Sequence, residues 1–149
     1  MTYIEVFIRQ YREVHDQLVE VIEDLPDEAL NWKPYAGGNS ISVLVTHTLG
    51  NQVETLLAVS QQVSNRDRKA EFAIDHATRA DLLATVEGAR ARLADLAPRI
   101  TPEQLDAMVR RPAAAHSEHA GLYQLNHSIT HAREHLGQIW MTRDLWKPS

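Results

Sequence analysis

Cysteine is missing from all 149 residues of this chain. That absence excludes disulfides, thiolate zinc sites and a cysteine nucleophile, so any metal has to be held by imidazole, carboxylate or amide groups. Positive charge is also short: 15 Lys and Arg stand against 20 Asp and Glu, giving a formal charge of -5 and a pI near 5.9. With no basic run to offset it, this balance argues against a nucleic-acid backbone or an anionic membrane as the main partner. No apolar run approaches the length of a bilayer span, and residues 1–10 lack the basic-then-apolar layout of a secretory signal, so a cytoplasmic location is expected. Histidine, by contrast, is plentiful, with eight in a chain that is 44% hydrophobic and 23% charged. Such a composition suits one domain that buries its own core without staples.

Between residues 3 and 24, Ile4, Ile8, Tyr11, Leu18 and Ile22 fall on one side of a wheel turning about 100° per residue, which predicts an amphipathic helix ending near Leu25-Pro26. Pro26 to Leu30 can start a short turn, and Gly37-Gly38 break the chain. Asn39 or Ser40 can cap a second helix carrying Ile41, Leu44, Val45, Leu49, Leu56, Val59 and Val63 as far as about Ser64. The charged stretch 65–77 reads as a loop. Thr78 and Asp81 form a capping-box pattern before a third helix with Leu82, Leu83, Val86, Leu93 and Leu96, ending before Pro98. Thr101-Pro102-Glu103 starts one or two turns, and residues 110–121 read as loop or extended chain. A last helix runs from about Leu122 to Leu145. With no strand of real length, the expected architecture is an all-α antiparallel four-helix bundle in a single domain, residues 1–149.

The histidines cluster in a pattern. His131 and His135, four apart on the last helix, project from one face, and His127 extends the series by a turn. The wheel ranks them inward as His135, then His131, then His127. Gln124, Ser128, Gln138 and Thr142 make an uncharged polar stripe beside the apolar one, as in a pocket lining. His47 falls among Val43, Leu44 and Leu57, at least half buried, with Asn51 and Glu54 on nearby turns. His15 sits at the middle of the first helix's apolar face, where an imidazole needs a hydrogen-bond partner; by itself it reads first as a core histidine. His76, His116 and His119 read as solvated loop residues. Bundles build metal sites from inward side chains on facing helices, and three neutral imidazoles that leave a position open form a catalytic ligand set. His131 to His135 also satisfies the H-x-x-E-H protease pattern, but Glu134 points about 100° away from His135 and only Asp144 follows as an acidic ligand, which speaks against peptide hydrolysis.

Three segments in fixed order carry a family resemblance: Leu25-Pro26-Asp27-Glu28-Ala29-Leu30-Asn31-Trp32-Lys33-Pro34, then Ser40-Ile41-Ser42-Val43-Leu44-Val45-Thr46-His47, then His131-Ala132-Arg133-Glu134-His135-Leu136-Gly137-Gln138-Ile139. Over nearly its whole length the chain resembles the DinB/YfiT-like superfamily of small four-helix metalloproteins. The resemblance implies a divalent metal, commonly zinc or nickel, held by His47, His131 and His135. It also implies thiol-dependent transfer or isomerisation with a small thiol co-substrate, and a homodimer. The functional expectation is then a metal centre opening into a pocket beside His15 and Tyr11. In it, His15 orients the nucleophile or accepts its proton and Tyr11 donates to a developing oxyanion. The segment 110–121 would cover the pocket, Gly137 would admit a close approach, and Gln138 would fix a ligand imidazole in its tautomer. The rival from another class is a non-catalytic metal-binding or stress-response bundle acting through dimerisation or a protein partner.

Overall fold

The computed structural model describes residues 1–112 and 118–149; His116 and the middle of the 110–121 segment lie outside the described residues. Helix α1 (Tyr3–Asp24) opens on a capping box in which Thr2 Oγ1 accepts from the Glu5 amide at 3.2 Å and Glu5 answers at the Thr2 amide at 2.6 Å. A short α2 (Asp27–Asn31) precedes α3 (Ile41–Val59), whose cap is Ser40. Then come α4 (Arg68–Phe72), α5 (Arg79–Leu96) behind the predicted Thr78–Asp81 capping box, a 3-10 turn at Ala97–Arg99, and α6 (Pro102–Asp106). Strands β1 (Met108–Arg110) and β2 (Glu118–Ala120) pair antiparallel, with Met108 opposite Ala120, and lead into α7 (Gly121–Leu145).

Two local expectations need correction. Helix α3 stops at Val59 instead of near residue 64, because Gln61 adopts a positive φ of 58° that no helix continues through. The charged stretch read as a loop contains α4, started by an Asp67 side chain that accepts from the Ala70 amide at 3.0 Å. The segment read as loop or extended chain is extended at its end, where Glu118–Ala120 pair in a small hairpin.

The four long helices share one core, with Phe7, Leu18, Ile22, Leu56, Leu125 and Leu136 all fully buried. Cross-links fix their directions. Asp16 meets Arg90 at 2.7 Å and the Leu25 carbonyl meets Arg79 at 2.7 Å, so α1 and α5 run oppositely. Asn51 meets Ser128 and His47 meets His131, so α3 and α7 also oppose. Tyr11–Ser128 and Glu13–Arg133 contacts make α1 and α7 parallel. Asn31 binds both Ser42 and Ala77 while Gln52 reaches Ala89 further along, so α3 and α5 are parallel too. The order is up, down, down, up. Two parallel consecutive helices require a connection that travels back along the bundle. Residues 60–78 make that crossover, with α4 lying against α3, and its far end is held by Asn31, which donates to the Ala77 carbonyl and accepts from the Ala77 amide, both at 2.8 Å.

Covered by α7, α5 and the crossover, α3 is buried nearly all round, including Ser42, His47, Asn51, Gln52 and Thr55. Each of these polar groups is paired. One pairing crosses the core: His15, fully buried, donates Nε2–H to Gln52 Oε1 at 2.7 Å, and Gln52 Nε2 donates to the Ala89 carbonyl at 3.2 Å. Among the described residues no helix is long and apolar enough to cross a membrane.

Burial holds the His15 pKa below its ordinary value of 6.5, and the Gln52 acceptor restores only part of the loss. The folded state therefore binds this proton less readily than the unfolded chain. Stability is full above about pH 6.5 and is lost as the pH falls below it, since the unfolded state then gains the proton first. Urea unfolding between pH 7.5 and 5 should show that decline, and His15→Gln should make the slope shallower.

Candidate metal centre

Opposed packing brings the second turn of α3 against the middle of α7. His47, 4% exposed, comes from α3, while His131 and His135, half-buried, stand one turn apart on α7. Their Nε2 atoms converge: His47 to His131 is 3.1 Å and His131 to His135 is 3.0 Å. The rings meet edge-on, with interplanar angles of 64° and 89° for the same pairs and 80° for His47 with His135. For comparison, zinc–imidazole bonds of about 2.0–2.1 Å give a tetrahedral ligand set an edge of roughly 3.3 Å. These three are the group of possible ligands found among the described residues.

The outer nitrogens show what the inner ones carry. His47 Nδ1 lies 3.1 Å from Glu71 Oε1, and His135 Nδ1 lies 2.7 Å from Gln138 Oε1. Both partners accept, which places the ring proton outside and an Nε2 lone pair inward; at His47 the Arg66 Nη2 donor also stands 3.2 Å from Nδ1, so the Glu71 carboxylate is the group that has to hold the proton there. The Gln138 contact is the one anticipated from sequence. Burial opposes the charge on Glu71, but the hydrogen bonds from His47 and Arg66 outweigh it and keep the carboxyl below its usual range. Burial, with the neighbouring imidazoles and Arg66, pushes His131 down to about 3, so it stays neutral. Its Nδ1 is buried with no hydrogen-bond partner. A proton on His131 Nε2 can be shared with only one neighbouring ring at a time, whereas a single cation in its place could take a lone pair from all three. The donor set therefore fits a divalent metal.

Glu71, Arg66 and Gly50 escaped the sequence reading. Arg66 grips Glu71 in a two-pronged pair, Nε to Oε2 at 2.9 Å and Nη2 to Oε1 at 2.8 Å, and reaches Glu54 through Nη1 at 3.0 Å. The pair lies directly on Gly50, where a Cβ would overlap Glu71 Oε2 and come within 2.9 Å of its Cδ. Next along α4, the Phe72 ring packs 4.6 Å from His47 and Arg68 covers Phe72 from outside at 4.9 Å. An unexplained glycine inside an apolar helix, paired with a mixed-charge stretch, was the available signal.

The expected opening beside Tyr11 and His15 is corrected. Both residues are fully buried in the core. Tyr11 Oη is 2.5 Å from Ser128 Oγ, which donates to Asn51 Oδ1 at 3.0 Å. Ser128 and Asn51 stand one turn from His131 and His47, so this chain of hydrogen bonds lies in the layer next to the imidazoles. The presumed pocket stripe divides accordingly: Gln124, Ser128 and Thr142 are buried contacts, and Gln138 alone is exposed. His127 is exposed and stacks on Tyr123, itself against His119, which is half-buried on β2; His76 is solvated as expected. Glu134 is exposed, and a Cβ on Gly137 would meet nothing within 4 Å, so no close approach explains that glycine. Since Ser128 spends its proton on Asn51, Tyr11 is the donor in their bond, and burial raises its pKa to keep it one. Tyr11→Phe should lower the unfolding free energy by about 1–2 kcal/mol in chemical denaturation, the cost of an unmade buried hydrogen bond.

Residues 1–147 match the family model described as a protein of unknown function, DUF1572. No curated protein matches the chain. Among solved structures, a conserved protein from Enterococcus faecalis superposes with a TM-score of 0.79 at 17% identity, over 97% of each chain. The DinB-like protein YjoA from Bacillus subtilis gives 0.70 at 15% identity, covering 93% of this chain and 90% of its own. A DinB-like protein from Bacillus cereus gives 0.64 at 14%, covering 93% and 89%. The fold is thus the DinB-like helical bundle that the sequence motifs pointed to.

Proposed function

The chain belongs to the DUF1572 family, and from its imidazole cluster we propose a divalent-metal-binding protein that acts as a metal-dependent transferase or hydrolase on a small molecule. A low-molecular-weight thiol is the favoured co-substrate. The observation that carries this is the convergence of three imidazole nitrogens, with Glu71 and Gln138 placed as acceptors at the outer nitrogens of two of the rings. Imidazole ligands suit zinc and nickel among the divalent metals. Three protein ligands leave room for a small molecule, and the half-exposed edges of His131 and His135 keep the centre within reach of solvent.

A divalent cation held there supplies Lewis acidity, which makes a thiol or a water nucleophilic near neutral pH. The chain contributes the rest by holding groups still. Phe72 shields one face of His47, and the Tyr11–Ser128–Asn51 chain ties α1, α7 and α3 together beside the ligands. With no cysteine in the sequence, a reacting sulfur has to come from the co-substrate.

Purified without a histidine tag, the protein should carry a divalent metal by elemental analysis, and His131→Ala or His135→Ala should lose both the metal and the thermal stability it adds. Incubated with a panel of small thiols and electrophiles, metal-loaded protein should consume thiol faster than His47→Ala. Metal binding with indistinguishable rates across the panel would favour the non-catalytic bundle instead.

A further inference from the structure

We propose that Glu71, carried on the crossover, is the positioning residue of the metal centre: it fixes the tautomer of His47 and so decides whether that ring can ligate. The role rests on the metal-binding function proposed above and goes beyond it, because it makes a segment outside the two ligand helices part of the site. Four observations support it. The Glu71 carboxylate accepts from His47 Nδ1 at 3.1 Å, opposite the nitrogen that faces His131. Its side chain is only 9% exposed, and the two-pronged pair with Arg66 fixes its plane. Arg66 is itself held from a second side by Glu54 and donates to the His47 carbonyl at 3.3 Å, which ties the clamp to the ligand's own backbone. And the only residue that gives Glu71 this seat without overlap is glycine at position 50.

A histidine whose outer nitrogen donates to a carboxylate presents a better-oriented and more basic inner nitrogen, and losing such a partner typically weakens metal affinity by about 10–100-fold. Without Glu71, the neighbour left at His47 Nδ1 is Arg66 Nη2 at 3.2 Å, a donor that favours the proton on Nε2, where it would occupy the ligating position. The glycine makes the idea separable from simple loss of charge. Gly50→Ala keeps every polar group and pushes Glu71 off its seat. Gly88, which lines the same cleft between α3 and α5 of about 390 Å³, has open space at its Cβ position, so Gly88→Ala is a matched control.

The test combines Co2+ affinity, measured by chelator competition, with the tautomer of His47 in metal-free protein, read from nitrogen-15 correlation spectra. The wild type and Gly88→Ala should bind alike and show the His47 proton on Nδ1. Glu71→Ala and Gly50→Ala should bind about 10–100-fold more weakly and shift the proton toward Nε2, with Glu71→Gln, which keeps an acceptor oxygen, between them and the wild type. Circular dichroism confirms that each variant is folded, and Gly50→Ala serves if Glu71→Ala is not. Affinity of Glu71→Ala within twofold of the wild type, or an unchanged tautomer, would overturn the positioning role while leaving the metal site intact. Failure of the wild type itself to bind Co2+ would overturn the metal site, and the role with it.

Discussion

The meeting of three imidazole nitrogens at one point is the constraint on which this molecule turns. Their Nε2 separations of 3.0 and 3.1 Å across the α3–α7 interface leave a shared proton or a cation to reconcile ring nitrogens that all point inward. A helix interface made only for stability would fill that position with hydrocarbon, as it does elsewhere on α7 with Leu125 and Ile129. The bundle instead spends fully buried polar groups on the surroundings of the three rings. Asn51, Ser128 and Tyr11 form the adjoining layer, and Thr55, reached by Arg111 at 3.3 Å, the layer beyond it.

These layers satisfy nearly every group they bury, and that is what makes them tolerable in the interior. Ser128 illustrates the economy: one hydroxyl accepts from α1 and donates to α3 while its own backbone stays in α7. Three of the four long helices are thereby registered by a single atom, and the imidazoles one turn along inherit that register. Precision at the centre then comes from directional bonds, with apolar packing supplying the bulk of the cohesion.

The long helices were legible because their signals are local. Apolar recurrence along α1 and α5, the Ser40 cap and the Thr78–Asp81 box all act within a turn or two of the residues that show them. The i,i+4 spacing of His131 and His135 placed two imidazoles together for the same reason, and the wheel ranked His127 outside them, where it lies. Long-range relations were opaque. Glu71 lies 24 positions from His47, in a stretch whose charge reads as solvated chain, and only the parallel run of α3 and α5 explains why it returns to the ligand. Polar residues on α7 were misjudged by the opposite error. Ser128 and Gln124 look like pocket lining on a wheel because a wheel cannot show that α3 and β1 supply their partners.

Asn31 adds a consequence of its own. By gripping both backbone groups of Ala77, while Ser42 donates to the same Oδ1 at 3.0 Å, it moors the far end of the crossover independently of Arg66 and Glu71. A carboxylate that lets go of its imidazole is therefore leashed at both ends, and its return is an intramolecular search at an effective concentration on the order of millimolar. Breathing of this strap is short-ranged and self-repairing, so the imidazole beneath it can be uncovered for an instant without the bundle losing its place.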